Sequence, residues 1–229
     1  GFNLTDCLPQ EIEEVKPHLN YGFTTRGCIN NCPFCVVPVK EGKVKIVGDL
    51  LDLWDGKTKD VTVYDNNILA IPEQFELICK QAIDNNIRLD NQGLDHRLLT
   101  TEICKLLKRT RHKEYHFAFD SPGYKRSVSH AIDLLQAEGI YRSIWYVLVG
   151  FNTSLSEDIS RLNYLKERNQ NAFVQRYNLK SNKQLIALSH WANHHSWFHG
   201  VTFEQFLNYP KNVGYKRVFK EETAYAVES

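Results

Sequence analysis

Cys28, Cys32 and Cys35 stand in the stretch "TTRGCINNCPFCVVP" with the spacing C-x3-C-x2-C. Thiolates are the preferred ligands of soft metals and iron–sulfur clusters, and three so close together can act on one centre. A structural zinc ion wants four ligands, usually as two pairs far enough apart to wrap it. Here there is one tight trio, and a fourth zinc ligand would have to come from elsewhere, for example the histidines of "ANHHSWFH". Ferredoxin runs also use a fourth cysteine and different spacings. Three thiolates on one loop suit a cubane [4Fe–4S] cluster, in which each binds one iron and the fourth iron stays open to a small molecule.

The other cysteines read differently. Cys79 in "FELICKQAI" and Cys104 in "TEICKLLKR" fall on the apolar stripe of helix-like segments, where a thiol packs as a small hydrophobe. Cys7 stands alone and fits either reading. Clustered cysteines with no sign of secretion point to metal or redox chemistry rather than to disulfides.

The elements that must position the trio form an alternation. β-rich runs appear at 21–25, 60–65, 86–92, 114–120, 143–150 and 171–178, and helix-like stretches lie between them. Pro72 sits where a first helical residue is expected, and Ser154 with Glu157 has capping-box spacing. Strand starts recur about every 25 to 40 residues, which suits βαβ units and a parallel sheet. Six strands are too few for a closed eight-stranded barrel, and either a doubly wound open sheet or a partial, open barrel fits. Polar residues gather at the C-terminal strand ends, where parallel α/β folds bind ligands: Asp65, Asn66 and Asn67; Gln92 and Asp95; Asp120; Asn178. Residues 182–200 read as a helix rich in histidine and aromatics, and the last dozen residues as a loose tail.

Of 229 residues 42% are hydrophobic and 24% charged, enough for one large domain. With 28 basic and 27 acidic residues the net charge is +1, so no overall field draws the chain to nucleic acid or an anionic membrane, although a local basic patch is compatible. No apolar run approaches the roughly 20 residues of a membrane span, and no signal pattern is present. The expected compartment is the cytoplasm. Residues 1–19 form a lead-in, 20–180 a core, and 181–229 a helical extension and tail; the start at Gly1, in a chain without Met, leaves open that an upstream piece is missing.

With its cysteine loop directly after the first strand, the sequence resembles the radical S-adenosylmethionine (SAM) superfamily. Members carry this C-x3-C-x2-C loop, often with an aromatic before the third cysteine, the place of Phe34. The resemblance spans the alternation from 20 to 178, although its specific motif is the loop alone. Val37-Pro38 after the trio is similar to the loop of methylthiotransferases and cobalamin-associated members; overall the chain resembles short single-domain members, phage-encoded ones among them.

The resemblance implies an α/β fold, a partial (β/α)6 TIM-like barrel of parallel strands. It implies a [4Fe–4S] cluster held by Cys28, Cys32 and Cys35, with SAM chelating the open iron and Phe34 near the adenine. One electron would cleave the SAM sulfonium to methionine and a 5′-deoxyadenosyl radical that abstracts hydrogen from a substrate. Where the family often has a glycine-rich segment ending in Glu for the methionyl amino group, Asp65, Asn66 and Asn67 would offer oxygens instead; the plain alternative is a polar strand-to-helix turn. Arg97 would pair with the SAM carboxylate, Gln92 or Asp95 would hold the ribose hydroxyls, and Gly93 would admit a close ligand; the plain alternative is a solvated loop. Asn152 falls in the segment that closes over the adenine. His116 and Asp120 on strand four, and Gln175, Arg176 and Tyr177 at the end of strand six, would face substrate, although a lone strand histidine is more often a satisfied core residue. By alternation either Arg176 with Asn178 or Gln175 with Tyr177 points inward.

A reduced flavodoxin or ferredoxin would be the electron donor. The substrate stays open among a small molecule, a nucleotide, an RNA and a peptide; near-neutral charge weighs against a large RNA unless a partner supplies basic surface. The absence of a cysteine-rich tail for a second cluster weighs against methylthiolation. Two rivals remain. One is a non-enzymatic zinc or iron–sulfur module with four protein ligands, favoured by the departure at Asp65 to Asn67; the other is a former radical SAM protein that no longer turns over.

Overall fold

The computed structural model describes residues 19–177 and 182–218; all but the last residue of the expected 1–19 lead-in, with Cys7, then Asn178, and the tail from 219 lie outside the described residues. Short strands alternate with helices. They are β1 (Tyr21–Gly22), β4 (Asp60–Val63), β5 (Arg88–Asn91), β6 (His112–Ala118), β7 (Ile144–Val149) and β8 (Asn171–Arg176). These six make one sheet in the order β1-β4-β5-β6-β7-β8, and each registered pair is parallel. The expected α/β class with a parallel sheet is therefore present. The main helices are α3 (Pro72–Asp84), α4 (Thr101–Arg109), α5 (Lys125–Ala137) and α6 (Leu155–Glu167). Pro72 begins α3, and Ser154 and Glu157 close a reciprocal capping box on α6.

The run at 21–25 is not one strand. After β1 the chain turns at Phe23 and Thr24, and β2 (Thr25–Arg26) pairs antiparallel with β3 (Lys45–Ile46), with α1 (Val37–Lys40) between them. The turn is held because the Asp65 carboxylate accepts the backbone N–H of both Thr24 and Thr25. The short helix α2 (Leu50–Leu53) then leads back to β4.

The chain divides into two compact units: Gly1–Phe117 with His130–Ile140, and Ala118–Ser129 with Tyr141–Ser229. In the first, Val61, Val63 and Leu89 of the strands are fully buried, as are Ile78, Cys79, Ala82, Cys104 and Leu107 of the helices. Burying side chains of Val, Leu or Ile size stabilises by about 1.5–3 kcal/mol each. Burial pushes the Cys79 thiol up to about 12 and the Cys104 thiol to about 11, so both stay protonated and pack, as their helix positions predict.

In the second unit Trp145, Val147 and Val149 alternate along β7 and are buried with Leu162 and Leu165 of α6. Asp158 and Arg161 of α6 form a buried ion pair. Arg161 also donates to the carbonyls of Phe119 and Leu148, and Asp158 accepts the Gly150 amide, so the pair braces the C-terminal ends of two strand segments. The segment 182–200 is two helices, α7 (Lys183–Ala192) and α8 (His195–Gly200), followed by α9 (Phe203–Leu207). It breaks because the Asn193 side chain accepts the Val174 amide at 2.6 Å and donates to the Val174 carbonyl at 3.2 Å. A side-chain amide thereby supplies hydrogen bonds to β8 that a neighbouring strand would otherwise make.

Candidate cofactor site

The cysteine loop is tied at its root. Gly27 has φ +82°, and a Cβ there would lie 2.3 Å from the Lys43 carbonyl oxygen, so only glycine lets the chain pass. The Cys28 amide donates to Gly42 at 3.2 Å, and the Cys35 amide closes a turn onto the Cys32 carbonyl at 2.9 Å. Cys28, Cys32 and Cys35 are all half-buried, each able to meet a group that enters from solvent. Glu41, just beyond α1, fastens the loop from the other side. Its Oε2 accepts the Gly27 amide at 2.8 Å and Asn66 Nδ2 at 2.9 Å, and its Oε1 pairs with Arg26 at 2.7 Å.

The ends of β4 and β5 meet the loop through two carboxylates. Asp65 is buried; its Oδ2 accepts the Thr24 hydroxyl at 2.5 Å and its Oδ1 the two threonine amides at 2.6 and 3.0 Å. Burial pushes its carboxyl above the usual range, and these hydrogen bonds only partly offset that. Asp95 gathers three side chains: Asn30 of the cysteine loop at 2.9 Å, Asn67 after β4 at 3.0 Å, and Arg97 through two bonds at 2.8 Å. Burial pushes the Asp95 carboxyl up, but the Arg97 and Asn30 hydrogen bonds outweigh it and hold it below the ordinary range. Asn30 carries the link into the trio, with its backbone amide 3.4 Å and its Nδ2 3.7 Å from Cys28 Sγ.

Close approach is needed at Gly93, as its place in the loop suggests, and the chain itself comes close. A Cβ there would lie 2.0 Å from the Asp65 carbonyl oxygen. The loops after β4 and β5 are thus pressed together beside the cysteine loop. The structure brings together Cys28, Asn66, Asn67 and Asp95 through this network, with Arg97 on its edge; Asp65 braces the turn that leads into it. Phe34 is half-buried within the loop. Gln92 donates to Asp90 at 2.7 Å. His116 is buried, its Nδ1 donating to the Asn91 carbonyl at 3.0 Å and its Nε2 lying 3.5 Å from Glu114.

Asp120, Asn152, Gln175, Arg176 and Tyr177 belong to the second unit. Asp120 accepts the Leu148 amide at 3.2 Å. Asn152 takes a left-handed φ of +51°, which asparagine tolerates. On β8, Ala172 and Val174 are buried on the face that carries Arg176, whereas Phe173, Gln175 and Tyr177 are exposed on the other. The Tyr177 ring sits 4.6 Å from that of Phe151.

Two organising residues, Asn30 and Glu41, have no signal in the sequence beyond their nearness to the trio. Their partners lie 65 residues away at Asp95 and 25 away at Asn66.

Among the described residues no three His, Cys, Asp or Glu side chains already surround a common point where a metal ion would fit. Thiols are nevertheless the donors that soft metals and iron–sulfur clusters prefer. Three half-buried thiols share one loop. Asn67, whose Nδ2 donates to Asp95, has its Oδ1 buried with no hydrogen-bond partner among the described residues, an acceptor left unused within the protein. No protein-family model matches the chain, and no curated protein matches it.

Proposed function

We propose that the protein is a radical SAM enzyme of the cytoplasm, built on a partial (β/α)6 barrel. The observation that carries this reading is the trio of half-buried thiols on a loop that follows the first strand and is tied to the C-terminal ends of the next two. The parallel, sequential strand order supports the barrel. Cys28, Cys32 and Cys35 would hold a [4Fe–4S] cluster. If held there, the cluster would supply the one electron needed for reductive cleavage of SAM.

The chain's own residues bind and orient. Asn67 Oδ1, buried and without a partner among the described residues, would accept from the methionyl ammonium, with Asn66 next in sequence. Arg97, held in place by Asp95, would offer its guanidinium to the carboxylate. Asp65 sets the turn that aims the cysteine loop. Phe34 would lie on the adenine side and Gln92 toward the ribose. Of the candidates in the second unit, Asp120 and the exposed β8 face with Gln175 and Tyr177 are assigned to a substrate whose class is open.

The test is product analysis. Anaerobically reconstituted protein given SAM and dithionite yields 5′-deoxyadenosine and methionine, and Cys32→Ala yields neither while losing bound iron. Tetrahedral zinc at the trio, with no product, refutes the reading.

A further inference from the structure

The C-terminal helices enclose a cavity of about 450 Å3, and every residue that lines it belongs to the second unit. One wall is a face of α7, where Lys183, Ile186 and His190 recur at helical spacing. The opposite face of that helix is spent on the core, with Leu185, Leu188 and Trp191 buried. The other wall is the short turn Pro210–Asn212 and the helical residues 213–218, which contribute Lys211, Tyr215 and Val218.

The walls are fixed to each other. His190 Nδ1 lies 3.3 Å from the Tyr215 hydroxyl across the cavity. Both rings pack on Phe206, that of His190 edge-on at 5.5 Å and that of Tyr215 stacked at 6.2 Å. Lys211 is held over the Trp197 ring, its Nζ 4.8 Å from the ring centre.

Charge says what such a cavity takes. Lys183 stands on one wall and Lys211 on the other, and among the described residues no Asp or Glu lines the space. The whole chain is close to neutral, with 28 basic and 27 acidic residues, so the imbalance is local. A concave surface with one sign of charge focuses its field and draws in the opposite sign. Ile186, Val218 and the Tyr215 ring add apolar surface next to the ammonium groups. The volume falls within the roughly 300–1,000 Å3 that small organic ligands fill.

We propose that this cavity binds a small phosphate monoester with a flat or apolar body. Two ammonium groups on facing walls match the charge of a phosphate, which lysine binds as a point charge. The planar fork that pairs best with a carboxylate belongs to arginine, and among the described residues no arginine lines the cavity. Ile186, Val218 and Tyr215 would cover the body. The assignment does not draw on the radical SAM reading, since the cysteine loop belongs to the first unit.

The experiment is calorimetric titration of the full chain, without SAM, using phenyl phosphate as probe and inorganic phosphate, benzoate and phenol for comparison. The variants are Lys183→Gln/Lys211→Gln and Ile186→Ala, each checked by thermal unfolding. The wild type binds one phenyl phosphate, more tightly than any of the other three compounds, and the binding weakens as salt rises. The double lysine variant unfolds at the wild-type temperature and loses about tenfold or more in affinity for phenyl phosphate. Ile186→Ala weakens phenyl phosphate binding and leaves that of inorganic phosphate unchanged.

No binding of phenyl phosphate to the wild type, or equal binding in the wild type and the double variant, overturns the site. Benzoate bound as tightly as phenyl phosphate overturns the phosphate class, and phenol bound as tightly overturns the role of charge. The salt dependence of the wild type decides the last point even where a variant fails to fold. Because SAM is absent throughout, failure here leaves the reading of the cysteine loop standing, and failure of that reading leaves this site standing.

Discussion

Asp95 holds three side chains from three stretches of chain, and its charge is what they share. Asn30, Asn67 and Arg97 all donate to it, and its own side chain is only 7% exposed. Charge-assisted bonds of this sort contribute about 1.5–3 kcal/mol each when shielded, less where a partner is as exposed as Arg97. Asp95→Asn keeps the shape, removes the charge, and turns a donor toward other donors. We expect it to lower unfolding stability by about 2 kcal/mol in urea titrations at neutral pH. Because the folded carboxyl sits below its ordinary 3.8, its contribution is present above that pH and is lost as pH falls through the lower folded value. Wild type and variant therefore converge in strong acid, and a gap that persists there contradicts the electrostatic account.

At the scale of elements, the site depends on how closely the loops after β4 and β5 approach. Gly93→Ala places a Cβ 2.0 Å from a backbone oxygen that cannot swing away, and we expect a loss of at least about 3 kcal/mol in thermal or urea unfolding. Gly200→Ala, at a position with nothing within 4 Å, changes stability by no more than about 0.5 kcal/mol or raises it. Much of this level was legible in the sequence. The strands from β4 to β8 follow β-rich runs, and Pro72 and the Ser154–Glu157 box mark helix starts by local chemistry. The flap of β2, α1 and β3 was not legible, since two-residue strands carry no periodicity and β2 pairs with β3 some twenty positions on. The break at Asn193 was hidden for a related reason: its side chain serves a strand 19 residues earlier. Within the site, the thiols and the polar strand ends could be read as residue types. That Asp65 braces a turn while Asn67 keeps an open acceptor follows only from which partners the fold delivers.

At the scale of the molecule, burial lowers the pKa of a histidine in each unit, His112 in the first and His199 in the second. Burial pushes His112 of the first unit down to about 4, against the hydrogen bonds it makes to backbone carbonyls. Its Nδ1 lies 3.0 Å from the Thr110 carbonyl and its Nε2 3.3 Å from Asn91 Nδ2, a pairing that fits the neutral ring. In the second unit His199 is lowered by burial and by His195 beside it. An unfolded histidine takes up its proton near 6.5, so between that pH and about 4 the unfolded chain binds more protons and stability falls as acid is added. The His112 share of that fall is on the order of 3 kcal/mol, and His112→Leu flattens this part of the pH–stability curve. An unchanged slope in the variant argues against a neutral His112. The claim on which the whole account turns is that the cysteine loop holds a cluster with one iron open to SAM. Its most direct test is electron paramagnetic resonance of the anaerobically reconstituted, dithionite-reduced protein, recorded with and without SAM. The account predicts a reduced [4Fe–4S] signal whose shape changes when SAM is added; a signal indifferent to SAM, or zinc in place of the cluster, contradicts it.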